Sequence, residues 1–214
     1  MTNYWDDLMG TDAGAGNYME TYGEGPGCDT RLLIGAMIEE GESVLDVGCG
    51  PGWNLDHFIE YGPSVKYKGT DYSGRFVRVA NKRAKEKYPG LFKKSPPFEV
   101  GDVRKIGEPA SSWDVVILQD CLEHTNGFIQ PIMEALRVAR KRVIITFWKG
   151  SFMDDNDSVD QINDDGNDGY GATYNRNNFE NFLDSLDEIW MTTETPPDAN
   201  RWHRMYVINK ADLE

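Results

Sequence analysis

Three glycines at alternate positions, Gly48, Gly50 and Gly52, close the apolar run "SVLDVG", which carries the acid Asp46 inside it. A backbone bare at that spacing lets a ligand reach the main chain, and the helical pattern that resumes in "GWNLDHFIEYG" offers free N–H groups at its start. Asp71 follows 19 residues after Gly52, at the end of a second apolar run, where an acid can accept from both hydroxyls of a ribose. The ligand indicated is a cofactor that contains a nucleoside. Its other end is not a dinucleotide pyrophosphate: the G-x-G-x-x-G spacing fails in "GCGPG", and Asp46 would repel phosphate. The turn suits an aminocarboxypropyl chain, with Asp46 near its ammonium group.

The elements that must position these residues follow from hydrophobic periodicity. Strands are expected over "SVLDVG", "YKGTDY", "FEVGDV", "DVVILQD" and "RVIITFW", each a short apolar run. Helices are expected between them. One is "RLLIGAMIEE", with Asp29 or Thr30 as cap and Leu32, Leu33, Ala36 and Met37 as the buried stripe. Another is "GRFVRVANKRAKEKY", capped by Ser73, with Phe76, Ala80, Ala84 and Tyr88 inward, and a third is "FIQPIMEALRVARK". Continuous apolar strands alternating with helices predict a parallel sheet covered on both faces. The last helix, "NRNNFENFLDSL", buries Phe179, Phe182, Leu183 and Leu186, and "EIWMTTET" and "RMYVIN" close the sheet as an antiparallel pair. The expected fold is a doubly wound α/β domain on a mostly parallel seven-stranded sheet with an antiparallel edge strand.

Four motifs in order, "VLDVGCGPG", "GTDYS", "GDV" and "LQDCLEHT", resemble those of the class I S-adenosylmethionine-dependent methyltransferases, from about Arg31 to Trp148. The resemblance implies a Rossmann-like methyltransferase fold and S-adenosylmethionine as cofactor, with S-adenosylhomocysteine as product. It places Gly48, Cys49, Gly50 and Gly52 at the methionine moiety with Asp46 close by, Asp71 on the ribose and Tyr72 against the adenine. Asp102 with the Val103 amide would read the adenine edge, and Gln119 would end the fourth strand beside the sulfonium.

An activated methyl donor needs an in-line nucleophile and exclusion of water, and a general base only when the nucleophile arrives protonated. Candidates near the methyl are Asp120 and His124 in "LQDCLEHT", and Tyr18 or Tyr22 on the N-terminal arm. His57 and His203 have no partner visible in sequence and are read as structural or exposed. The reaction expected is methyl transfer to nitrogen or oxygen of a small acceptor. Two other functions fit the same motifs: an aminopropyl transferase, against which "LEH" argues, and a non-catalytic cofactor-binding partner subunit.

Composition narrows the partners. The 214 residues carry a formal net charge of −14, although residues 66–105 hold 12 Lys or Arg against 4 Asp or Glu. A field that negative argues against nucleic acid, and the basic helix presents its charges where the solvent face falls. Three cysteines, Cys28, Cys49 and Cys121, are odd in number and too scattered for a zinc pattern, so reduced thiols and no metal are expected. No apolar stretch reaches the roughly 20 residues of a membrane span and no signal-peptide pattern opens the chain, which predicts a cytoplasmic protein.

Residues 1–28 read as a mobile arm, 29–148 as the cofactor-binding core, 149–174 as a solvated acidic insertion and 175–214 as the final helix and strand pair, together one domain. The arm is too Gly-rich for a stable helix beyond a short one over residues 3–9. The insertion's carboxylates and the aromatics Trp5, Tyr18 and Tyr22 suit a cationic or amine acceptor.

Overall fold

The structure is a computed structural model describing residues 3–22, 25–92, 95–148, 152–153, 160–166, 168–195 and 203–210. Its main sheet has seven strands. In chain order they are β1 (Ser43–Val47), β2 (Lys66–Asp71), β3 (Phe98–Val100), β4 (Trp113–Gln119), β5 (Ala139–Trp148), β9 (Ile189–Glu194) and β10 (His203–Asn209). They lie side by side as β3-β2-β1-β4-β5-β10-β9. The first five run parallel, and β10 is antiparallel to both β5 and β9, with Tyr206 opposite Ile145 and Thr192. The order reverses between β1 and β4, so the ends of β1, β2 and β4 converge where doubly wound sheets bind ligands.

The period-2 alternation of buried strands fills two cores. Leu45, Val116, Leu118, Ile145 and Tyr206 face α6 (Ile129–Val138) and α7 (Arg176–Asp184), where Ile132, Phe179 and Leu183 are fully enclosed. Val44, Val115, Ile117, Ile144 and Val207 point the other way, onto Ile34 of α3 (Asp29–Ala36) and Phe58 of α4 (Trp53–Glu60). A third cluster lets α5 (Gly74–Lys87) bury Ala80 and Ala84, as its periodicity predicts, and Ser73 caps that helix by accepting from the Phe76 N–H.

Three local expectations change. Helix α3 is capped at Cys28 rather than Asp29 or Thr30 and stops at Ala36; it buries Thr30, Arg31, Ile34 and Gly35 and leaves Leu32 exposed. Leu33 and Met37 of the expected stripe pack partly against the core, while Leu32 and Ala36 are exposed because Thr30 and Arg31 turn inward. The arm is not a bare loop: after α1 (Tyr4–Met9) a second helix, α2 (Asp12–Tyr22), forms despite Gly14 and Gly16. Ala15 and Met9 are buried against Phe76 of α5, and such packing overrides weak propensity.

The acidic insertion is folded where it is described. Strand β8 (Gly169–Asn175) pairs with the short β6 (Phe152–Met153) and with β7 (Gln161–Gly166). All six residues of β7 are exposed, as expected of a solvated segment, whereas β8 buries Ala172 and Tyr174. The Tyr174 hydroxyl donates to the carbonyl of Leu122 at 2.9 Å, and Gly169 leaves room for the Tyr4 ring of α1. The arm and the insertion therefore meet over the C-terminal ends of the strands.

Candidate active site

A cavity of about 270 Å³ opens at those strand ends. Its floor is the glycine turn, where Gly48, Gly50 and Gly52 all have positive φ (77°, 52° and 84°), a region that side chains disfavour. The three glycines do different things. Gly48, Cys49 and Gly50 line the cavity, and a Cβ on Gly48 would come within 2.6 Å of the Cys121 Cβ. Gly52 lies outside the lining, and its missing side chain makes room for the Phe98 ring, a packing role.

Asp46, too, is turned into the protein. It is 1% exposed and does not line the cavity; its Oδ2 accepts from the Tyr67 hydroxyl at 2.6 Å and from Asn54 Nδ2 at 3.1 Å. Burial pushes its carboxyl up to about 6 against the lowering pull of those two donors. Asn54, its hydrogen-bond partner, does line the cavity.

Asp71 ends β2 at the cavity edge, with Oδ2 accepting from the Gly50 N–H and Oδ1 from the Ser73 N–H, each at 2.8 Å. Burial raises its carboxyl to about 6, opposed by the same two amides. A carboxylate offers roughly four acceptor sites, so two remain open toward the cavity. Next along the wall come Tyr72, Gly101, Asp102 and Val103. The Tyr72 hydroxyl donates to Asp168 Oδ2 at 2.9 Å, across from the β7–β8 hairpin. Asp102 is gripped by Arg104: burial alone would raise it, but the guanidinium bonds hold its pKa below the ordinary value. Gln119 closes β4, and its Oε1 is buried with no hydrogen-bond partner among the described residues.

The candidates for chemistry gather at the far end. Asp120 has φ +47°, a strained conformation for a non-glycine residue, which turns its side chain onto the wall. Thr146 Oγ1 donates to its Oδ1 at 2.7 Å and His203 Nε2 lies 3.0 Å from its Oδ2. Burial works to raise its carboxyl, but the hydrogen bonds from His203 and Thr146 and the charges of His203 and Arg31 together outweigh it, so the acid is held below its usual range. His124 lines the cavity edge-on to the Trp5 ring, 4.7 Å between centroids. Enclosure lowers its pKa, opposed by a hydrogen bond with the Tyr170 backbone. Tyr18 and Tyr22 stand on α2 with side chains outside the described part of the structure.

Sequence reasoning missed several wall residues, among them His203, Arg31, Arg104 and Asp168. His203, read as lacking a partner, is buried between Asp120 and Thr30 Oγ1, 2.9 Å from its Nδ1. Its partners are 83 and 173 positions away, and no local pattern announces them. Arg31 brings a buried guanidinium over the Trp53 ring, and Arg104 and Asp168 arrive from loops. His57 agrees with a structural reading, its Nδ1 2.8 Å from the Pro26 carbonyl. The three cysteines are free thiols, and no group of His, Cys, Asp or Glu among the described residues is arranged to hold a metal. No helix among the described residues is long and apolar enough to cross a membrane.

Residues 44–142 match the family model described as a methyltransferase domain. Among curated proteins, the demethylmenaquinone methyltransferase of Lactococcus lactis is 32% identical over 101 residues, covering 47% of this chain and 38% of that protein. Phosphoethanolamine N-methyltransferase 3 of Arabidopsis thaliana is 31% identical over 127 residues, 56% of this chain and 25% of its own length. The chain thus spans well under half of these relatives. Among solved structures, the magnesium protoporphyrin IX methyltransferase of Synechocystis with bound S-adenosylmethionine superposes with a TM-score of 0.65 at 18% identity, over 96% of this chain and 94% of that one. The phosphoethanolamine N-methyltransferase 2 of Haemonchus contortus in complex with S-adenosyl-L-methionine gives 0.71 at 16%, over 98% and 59%. At such identities the likeness is one of fold, and the doubly wound sheet with its antiparallel β10 is common ground.

Proposed function

We propose, for a chain whose residues 44–142 belong to the methyltransferase domain family, that the cavity binds S-adenosylmethionine and passes its methyl group to a nitrogen or oxygen of a small acceptor. The observation that carries the reading is Asp71: a buried acid fixed by two backbone amides, with acceptor sites still open at the cavity edge beside the glycine turn. The other residues fit the same cofactor. Gly48 and Gly50 leave the main chain open to the methionine moiety, and Arg31 offers a cation for its carboxylate. Tyr72, Asp102 and Val103 frame the adenine side, and the buried Gln119 Oε1 calls for a partner from the ligand.

S-adenosylmethionine, when bound, supplies a methyl group already activated on a sulfonium, so the protein's own part is to orient, enclose and manage one proton. Trp5 of α1 and the β7–β8 hairpin, through Asp168, wall the cavity and limit water. Asp120 presents a carboxylate that stays ionised at neutral pH. His124, held neutral near pH 7 by its lowered pKa, is the group able to take a proton from an acceptor N–H.

That pairing favours an amine acceptor, with Asp120 and the Trp5 ring answering its positive charge. The chain's net charge of −14 favours the approach of a cation, and N-methyltransferases among the relatives support the same direction. The test is formation of S-adenosylhomocysteine across small primary and secondary amines and their matched alcohols. Turnover of the amines, lost in His124→Ala, is the expected outcome. Turnover of the alcohols alone would discard the amine reading, and cofactor binding with no turnover anywhere would leave a cofactor-binding subunit in its place.

A further inference from the structure

Arg104 already engages two of the groups assigned to the adenine, Asp102 and Tyr72. Its Nε lies 3.0 and 3.1 Å from Asp102 Oδ1 and Oδ2, its Nη2 2.8 Å from Oδ2, and its own backbone N–H donates to Oδ1 at 2.8 Å. Three donors, one of them shared between both oxygens, take up most of the roughly four acceptor sites of a carboxylate. The guanidinium carbon also sits over the Tyr72 ring, 5.5 Å from its centroid. A planar group that stacks on an aromatic face and donates N–H bonds in its own plane has the recognition pattern of adenine. Asp71, one strand away, contrasts with this: its two amide donors leave half its acceptor sites free for ribose.

We infer that Arg104 occupies the adenine subsite of the free protein, and that its side chain must leave Asp102 and the Tyr72 ring before an adenosine cofactor enters. The inference rests on the cofactor reading above. Only the side chain has to move, because the Arg104 backbone is fixed at both ends: its N–H on Asp102, and its carbonyl accepting from Gln130 Nε2 at 2.9 Å. A second carboxylate stands ready, since Asp168 Oδ1 lies 3.8 Å from Arg104 Nη1 and Asp168 is half exposed. Rotation toward Asp168 would transfer the guanidinium from the core to the β7–β8 hairpin, which already receives the Tyr72 hydroxyl. Arg104 then acts as a competitor that sets cofactor affinity, and its release ties the hairpin to the occupied site.

Calorimetry with S-adenosylhomocysteine and with adenosine tests this on the wild type, Arg104→Ala and Arg104→Met, the last keeping the aliphatic stem should alanine unsettle the loop. Removing a partly exposed ion pair and a cation–π contact that compete with the ligand is expected to tighten both ligands about threefold to tenfold. Stopped-flow tryptophan fluorescence should show the gain as faster association, because the competitor acts on the free state. Variants with wild-type melting temperatures that bind S-adenosylhomocysteine equally or more weakly would overturn the inference and make Arg104 a clamp. Absence of binding in wild type and variants alike would overturn the cofactor reading and this inference with it.

Discussion

Asp71 and Asp46 are both buried acids raised to about 6, yet they face different tasks. Asp71 keeps open acceptor sites at the cavity, so Asp71→Ala should cost S-adenosylhomocysteine about a hundredfold in affinity, the worth of one or two hydrogen bonds to a charged group, as calorimetry would read. Asp46 acts on stability. Its native value lies above the ordinary carboxylate value of about 3.9, so the folded state holds its proton more tightly than the unfolded chain does. The stability it contributes is present below about pH 4 and lost as the pH rises through about 6, by at most about 3 kcal/mol for two pKa units. Asp46→Asn should remove that part of the pH slope, measured as the difference between wild-type and variant urea unfolding from pH 4 to 7. Identical slopes would show that Asp46 carries no such linkage.

At the scale of elements, the turn between β1 and α4 is the most demanding piece. Gly52→Ala would place a Cβ at φ +84° against the Phe98 ring, and a loss of about 2 kcal/mol or more is expected in denaturant unfolding. Asp6 ties helix α1 to the start of α5: its Oδ1 accepts from Ser73 Oγ at 2.6 Å and from the Arg75 N–H at 3.1 Å. Asp6→Ala should raise amide exchange across residues 4–22 while β1 and β4 stay protected; unchanged exchange would place the anchor elsewhere. The glycine turn and Asp71 were legible because their signal is local, a spacing within one strand-to-helix unit. Helix α2 was not, since it depends on Ala15 packing against Phe76, and the face of α3 was not, since Thr30 reaches His203 across the fold. The packing around Asp46 and Gly52 was not legible for a related reason: only the folded neighbours Tyr67, Asn54 and Phe98 show what surrounds them.

Across the whole molecule, the alternation of strands and helices was enough to predict the sheet, because apolar periodicity is set by which faces are buried. The wall of the site was not predictable to the same depth. Trp5, Arg31, Arg104, Asp168 and His203 come from an arm, a helix, two loops and the last strand, and meet only when the sheet is assembled. Closure of the acidic hairpin onto the core belongs to this scale as well. If the β7–β8 hairpin walls the cavity through Asp168, S-adenosylhomocysteine should slow amide exchange in residues 168–175, and Asp168→Ala should abolish that protection while the sheet keeps its own. Calorimetric titration with S-adenosylmethionine, S-adenosylhomocysteine and NAD, on the wild type and Asp71→Ala, reaches the function most directly. Binding of the first two to the wild type, lost in the variant and absent for NAD, is the predicted result, whereas wild-type protein that binds neither sulfur nucleoside would contradict a methyltransferase site at these strand ends.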